Sequence, residues 1–177
     1  MKKLSLLNKS LTTAMCMALC VVLPIALHFI PNAGVLLSPM HLPVLLCGLV
    51  CGWPFGLICG LTGPLLSSLI TGMPPMAILP AMMVELAVYG FLSGLLIRLV
   101  HTKLLLLNLY ISLVFAMLAG RVAAGLARGF LFAPGNYSLQ TWAAAYFVSS
   151  LPGIILQLIL IPILYLALKK ARLTGDY

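Results

Sequence analysis

Met76-Ala-Ile-Leu-Pro-Ala-Met-Met-Val-Glu-Leu-Ala-Val-Tyr-Gly-Phe-Leu-Ser-Gly-Leu-Leu-Ile-Arg-Leu-Val100 decides the fold class. A helix needs about 20 apolar residues to cross a bilayer, and this stretch supplies them while carrying Glu85 near its middle. A carboxylate at the centre of a membrane helix costs about 2.5–3.5 kcal/mol on insertion scales, so such a residue faces a cavity or a partner rather than lipid. The only other acid, Asp176, lies at the C-terminus. The basic residues at comparable depth are Arg121 and Arg128, in another apolar run. Their spacing is two helical turns, which places both guanidinium groups on one face. One carboxylate opposing two arginines inside an apolar bundle reads as a site for something small, polar and anionic.

The remainder of the 177 residues fits the same setting. The chain is 63% hydrophobic and 7% charged, where soluble domains carry about 25% charged residues. Its length suits one domain, residues 1–177. The net charge of +8 is not a nucleic-acid patch: Lys2, Lys3 and Lys9 lie at the start, Lys169, Lys170 and Arg172 at the end, and Arg98 and Lys103 flank His101 in one connection. These are helix ends, so the expected surroundings are a lipid bilayer. Lys2 and Lys3 precede the apolar stretch Leu11–Ile30 as in a signal peptide, but Pro31-Asn-Ala-Gly34 is a poor cleavage site, and a retained first span is expected. Cys16, Cys20, Cys47, Cys51 and Cys59 all fall in apolar runs. They lack the tighter spacing and His partners of metal sites and read as small packing groups. No metal or cofactor is expected.

The hydrophobic pattern predicts an all-α polytopic membrane protein with six transmembrane helices: Ser10–Ile30, Leu42–Cys51, Phe55–Thr71, Met76–Val100, Leu104–Phe132 and Ala143–Leu168. The second is too short to cross a full bilayer comfortably. Gly52 and Pro54 are expected to bend the chain between the second and third. Six spans put both termini on one side, and the loops near 31–40, 72–75 and 133–141 contain no Lys or Arg. The positive-inside rule therefore makes both termini cytoplasmic. Glycines recur four apart at Gly48, Gly52, Gly56 and Gly60, at Gly90 and Gly94, and at Gly125 and Gly129. That spacing lets membrane helices approach closely, mostly within the chain itself.

In this topology Arg128 lies near the outer end of the fifth helix, and Glu85 and Arg121 lie deeper. Arg128 is the expected anion anchor, because guanidinium pairs bidentately with carboxylate; the alternative is snorkelling to the interface. Arg121 is open to two readings, ligand contact or a structural ion pair with Glu85. Glu85 is suited to accept hydrogen bonds from a ligand hydroxyl or amide. His41, after Ser38-Pro-Met40 at the outer start of the second helix, reads as ligand contact or as a cap. Asn136, Tyr137, Gln140, Trp142 and Tyr146 gather at the outer ends of the last two helices, as an aromatic belt or as groups closing over a ligand; Asn136 and Tyr146 are the candidates there. His28 reads as an interface residue and Gln157 as a link to a neighbouring helix. Thr71-Gly-Met-Pro-Pro75, hinged at Gly72, has the form of a gate.

Three stretches carry a family resemblance: Leu37-Ser-Pro-Met-His-Leu-Pro-Val-Leu-Leu-Cys-Gly48, Gly63-Pro-Leu-Leu-Ser-Ser-Leu-Ile-Thr-Gly-Met-Pro-Pro75 and Met83-Val-Glu-Leu-Ala-Val-Tyr-Gly90. With the Ala-x-x-x-Ala step of Ala14 and Ala18, they make the whole chain resemble a substrate-binding (S) component of an energy-coupling factor (ECF) transporter, in the pantothenate and vitamin-precursor branch. The resemblance implies a vitamin or vitamin precursor bound at the extracellular end, with pantothenate the first expectation. It also implies toppling of the subunit in the plasma membrane of a prokaryote. Ala14 and Ala18 would pack on a transmembrane coupling subunit driven by two cytoplasmic ATPase subunits. The chain itself has no Gly-x-x-x-x-Gly-Lys-Ser/Thr phosphate loop, in keeping with ATP hydrolysis on those partners.

Two rivals are a small stand-alone secondary carrier and a structural or regulatory membrane subunit. Secondary carriers often show inverted halves with interrupted helices, and no convincing internal repeat is present. No His-Glu-x-x-His or Gly-x-Ser-x-Gly motif suggests an enzyme.

Overall fold

A computed structural model of the protein describes residues 4–129, 138–171, 173 and 174. It is all-helical: α1 Leu6–Ala26, α2 Ala33–Leu37, α3 His41–Cys51, α4 Trp53–Thr71, α5 Leu79–Leu99, α6 Leu105–Ala127, α7 Leu139–Ala143 and α8 Leu151–Lys170, with a π-helical turn at Ala144–Val148. Among the described residues six segments are long and apolar enough to span a membrane, α2 and α3 together forming one of them, Ala33–Cys51.

Local chemistry sets the helix starts. The Ser5 hydroxyl accepts from the Asn8 N–H at 3.2 Å and caps α1, satisfying a donor that has no partner within the helix. Pro54, Pro80 and Pro152 occupy the first turns of α4, α5 and α8, where a missing N–H costs nothing. Gly52 turns the chain between α3 and α4 at φ +96°. A side chain there would be strained and would collide with the Arg98 guanidinium. The expected bend at Gly52 and Pro54 is thus present.

Helix α5 is the centre of the bundle, packed against α3, α4 and α6. Its approach to α4 is close enough that a Cβ on Gly56 or Gly60 would strike the backbone carbonyls of Gly90 or Leu86, and one on Gly90 would strike that of Gly56. The small-residue spacing therefore serves packing inside the chain. Leu45, Leu49, Leu86, Tyr89, Leu109, Leu113, Ile161 and Tyr165 fill the core. The five cysteines are buried and unbridged; Cys47 Sγ lies 3.6 Å from Thr13 Oγ1, and Cys51 Sγ 3.7 Å from the Lys9 carbonyl. They act as packing groups between α1, α3 and α4.

Two spans differ from the pattern-based expectation. The second begins at Ala33 rather than Leu42, and is interrupted where Ser38 takes a left-handed conformation, φ +46°, before Pro39. It is a broken span rather than a short one. The last continuous span begins at Leu151, not Ala143, because the chain first passes through α7, the π turn and a break at Ser149 and Ser150. A π turn followed by Pro152 cannot continue as one regular helix.

Candidate ligand-binding site

The end of the bundle opposite the start of α1 and the end of α8 holds a cavity of about 170 Å³. Glu85 enters it from the second turn of α5, Arg121 and Arg128 from the end of α6, His41 from the first residue of α3, and Tyr146 and Ser150 from the segment before α8. The seven-residue spacing of the two arginines brings both to one wall, as expected. Arg128 is half-buried, whereas Glu85, His41 and Arg121 are 5%, 5% and 2% exposed. The burial of three ionisable groups side by side is unusual for charged residues without partners.

Their partners follow from the geometry. His41 Nε2 lies 3.4 Å from Glu85 Oε1, and its ring meets Tyr89 edge-on at 5.3 Å. The buried His41 Nδ1 has no hydrogen-bond partner among the described residues. Arg121 Nε donates to the Tyr89 hydroxyl at 2.9 Å, and one terminal nitrogen donates to Ser150 Oγ at 2.7 Å. Ser150 in turn donates to the Tyr146 carbonyl at 2.6 Å. The Arg121 guanidinium also lies over the Phe147 ring, 5.6 Å from its centre, a cation–π contact. Of the two sequence readings of Arg121, the direct pair with Glu85 is thus replaced: His41 pairs with Glu85, and Tyr89 and Ser150 hold Arg121.

The remaining sequence candidates divide. Trp142 donates from Nε1 to the Arg121 carbonyl at 3.1 Å and packs its ring on Gly125, so it braces α6 instead of standing free in a belt. Gln157 donates from Nε2 to the Ser38 carbonyl at 3.5 Å, the structural link expected of it, and that bond reaches the break in the second span next to His41. Ala14 and Ala18 are exposed on α1, beside Leu11, Met15 and Val22. His28 is exposed. Asn136 lies outside the described residues. In the 71–75 loop Gly72 has φ +74°, and Ser68 Oγ donates to the Pro74 carbonyl at 2.8 Å. Tyr89 and Ser150 were missed from sequence. Tyr89 had a usable signal, since four residues after Glu85 it must share that helix face.

A second hollow of about 460 Å³ adjoins the cavity. It is an apolar groove between the end of α1, the start of the second span and the 73–75 loop, and it shares Gly34, Val35, Ile78 and Met82 with the charged cavity. No group of three or more His, Cys, Asp or Glu among the described residues is placed to hold a metal ion.

The described residues thus form a helical bundle of six apolar, membrane-length spans with a charged hollow at one end. Residues 8–165 match the model of one family, the substrate-specific component of ECF transporters, and the chain belongs to that family. No curated protein and no solved structure matches it. The chain is accordingly a multi-pass protein of the prokaryotic plasma membrane, a non-catalytic subunit that binds a small substrate and works with an ECF module.

Proposed function

We propose that the cavity between α3, α5 and α6 captures a vitamin or vitamin precursor bearing a carboxylate, with pantothenate the first candidate. The observation that carries this reading is the meeting of Arg121 and Arg128 with the Glu85–His41 pair around one cavity. Arg121 is already fixed by Tyr89 and Ser150, which gives it a preorganised field. Arg128, nearer the mouth, is the group that pairs with the ligand carboxylate. Glu85 and His41 then accept or donate hydrogen bonds to a hydroxyl or amide further along the ligand.

The positive residues support an orientation. Lys9, Arg98, Lys103, Lys169 and Lys170 belong to the end that holds the start of α1, the α5–α6 connection and the end of α8. Positive-inside bias makes that end cytoplasmic, so the cavity opens outward and the 71–75 loop acts as its gate. Exposed Ala14 and Ala18 offer a flat strip of α1 on which a transmembrane coupling subunit packs closely. Two cytoplasmic ATPase subunits supply the energy for release inward.

The test is a thermal-shift screen of the purified, detergent-solubilised chain against vitamins and precursors, mixing carboxylates with neutral and cationic heterocycles. Stabilisation by one carboxylate is the expected result. Stabilisation by a neutral or cationic compound alone moves recognition from Arg128 to Glu85 and His41. Silence from a folded sample favours a structural subunit, and failure to co-purify with an ATPase module favours a solitary carrier.

A further inference from the structure

The charged cavity alone, at about 170 Å³, is smaller than the range of roughly 300–1,000 Å³ in which small-molecule sites fall. The adjoining groove of about 460 Å³ brings the site inside that range. The two differ in chemistry. Four ionisable side chains other than tyrosine line the first: Glu85, His41, Arg121 and Arg128. The second is walled by Pro24, Leu27, Ile30, Met40, Met73 and Pro74, with His28 and Asn32 its polar side chains among the described residues. Methionine is the side chain that best moulds to an irregular apolar ligand, and Met40, Met73 and Met82 all face this groove.

Resting on the carboxylate reading of the proposed function, but pointing to a less polar substrate than pantothenate, we infer that the substrate has two parts: a carboxylate head held in the charged cavity and a largely apolar arm lying in the groove beside it. Continuity carries the argument, since Ile78 and Met82 form the floor common to both hollows together with Gly34 and Val35. His41, 5% exposed, lines the charged cavity and not the groove, so the polar contacts stay with the head. A compact aromatic carboxylate fills only the first hollow and leaves the groove vacant. A head without an arm therefore binds weakly, and an arm with the wrong head does not bind.

The test is calorimetric titration of the full chain in nanodiscs with butanoate, octanoate and octylammonium, using empty nanodiscs as the blank. It is repeated on Leu27→Trp and Ile30→Trp, which add bulk in the groove at residues that do not line the charged cavity. Octanoate is expected to bind at least tenfold more tightly than butanoate, against a ceiling of roughly 200-fold for four fully buried methylenes. Octylammonium is expected not to bind. In whichever tryptophan variant still binds butanoate, and is therefore folded, the advantage of octanoate is expected to vanish. Equal binding of the two acids, or an advantage that survives both tryptophans, overturns the two-part ligand while leaving the charged site in place. Octylammonium binding as well as octanoate also overturns it, and identifies the groove as a lipid-chain site. Failure of both acids to bind the wild type refutes the carboxylate reading of the cavity itself.

Discussion

The Tyr89 hydroxyl accepts a 2.9 Å hydrogen bond from Arg121 Nε, and this bond joins α5 and α6 beside the charged cavity. Tyr89 is fully buried on α5, and Arg121 is 2% exposed on α6. The Tyr89 ring also packs edge-on against His41, which pairs with Glu85. One side chain thereby touches both the buried guanidinium and the imidazole paired to the carboxylate. Gly120 permits this, because a side chain there would occupy the space of the Tyr89 ring.

Tyr89→Phe keeps the ring and removes the acceptor. A buried guanidinium N–H then loses its partner, at a cost of about 1–3 kcal/mol. The expected outcome is a lower unfolding midpoint together with weaker ligand binding, read by thermal unfolding with and without ligand. An unchanged midpoint and unchanged affinity would show that Arg121 is held in place without the phenol.

Gly90→Ala tests the α4–α5 seam. Overpacking a core costs typically 1–3 kcal/mol, and here the obstacle is the Gly56 carbonyl, a backbone atom that no rotamer change can move. Loss of the folded, monodisperse species in size-exclusion chromatography is expected. Ala87→Gly, one turn away on the same helix, is expected to keep that species.

Gln157→Leu separates positioning from stability. The bond from Gln157 to the Ser38 carbonyl is long, at 3.5 Å, and the side-chain oxygen has no partner among the described residues. Its removal is expected to change stability by less than about 1 kcal/mol. Ligand affinity is expected to fall three- to tenfold, roughly 0.7–1.4 kcal/mol, because the break that orients His41 loses its tie to α8. Equal loss of stability and affinity would make Gln157 a packing residue only.

Ala14→Leu with Ala18→Leu roughens the exposed strip of α1 without touching the cavity. Ligand binding and thermal stability are expected to stay at wild-type values, while co-purification with the coupling and ATPase subunits is lost. Retained co-purification would place the partner surface elsewhere on the chain.

The spans were legible because membrane helices must satisfy their own backbone and present apolar surface, and four of the six apolar runs announced themselves within a few residues. The second did not. Pro31, Asn32 and Gly34 look like loop, and sequence does not reveal that Asn32 and Ser38 both take left-handed conformations around the short α2. The start of the last span was misplaced for a related reason: Ala143-Ala-Ala145 reads as regular helix, and the π turn that begins at Ala144 carries no compositional mark. At the site, charge scarcity singled out Glu85, Arg121 and Arg128. Charge alone does not choose between His41 and Arg121 as the partner of Glu85, because that choice depends on which helix ends converge. The break at Ser38 brings His41 into reach.

The most direct measurement of the central claim is a binding titration of the stabilising carboxylate vitamin against wild type and Arg128→Ala, with thermal unfolding of both as the check on folding. Truncating one member of a desolvated charge pair costs about 2–5 kcal/mol, so the account predicts at least a thirtyfold loss of affinity in a variant whose ligand-free unfolding midpoint is close to that of wild type. An affinity unchanged by Arg128→Ala, in a protein that is still folded, would contradict it.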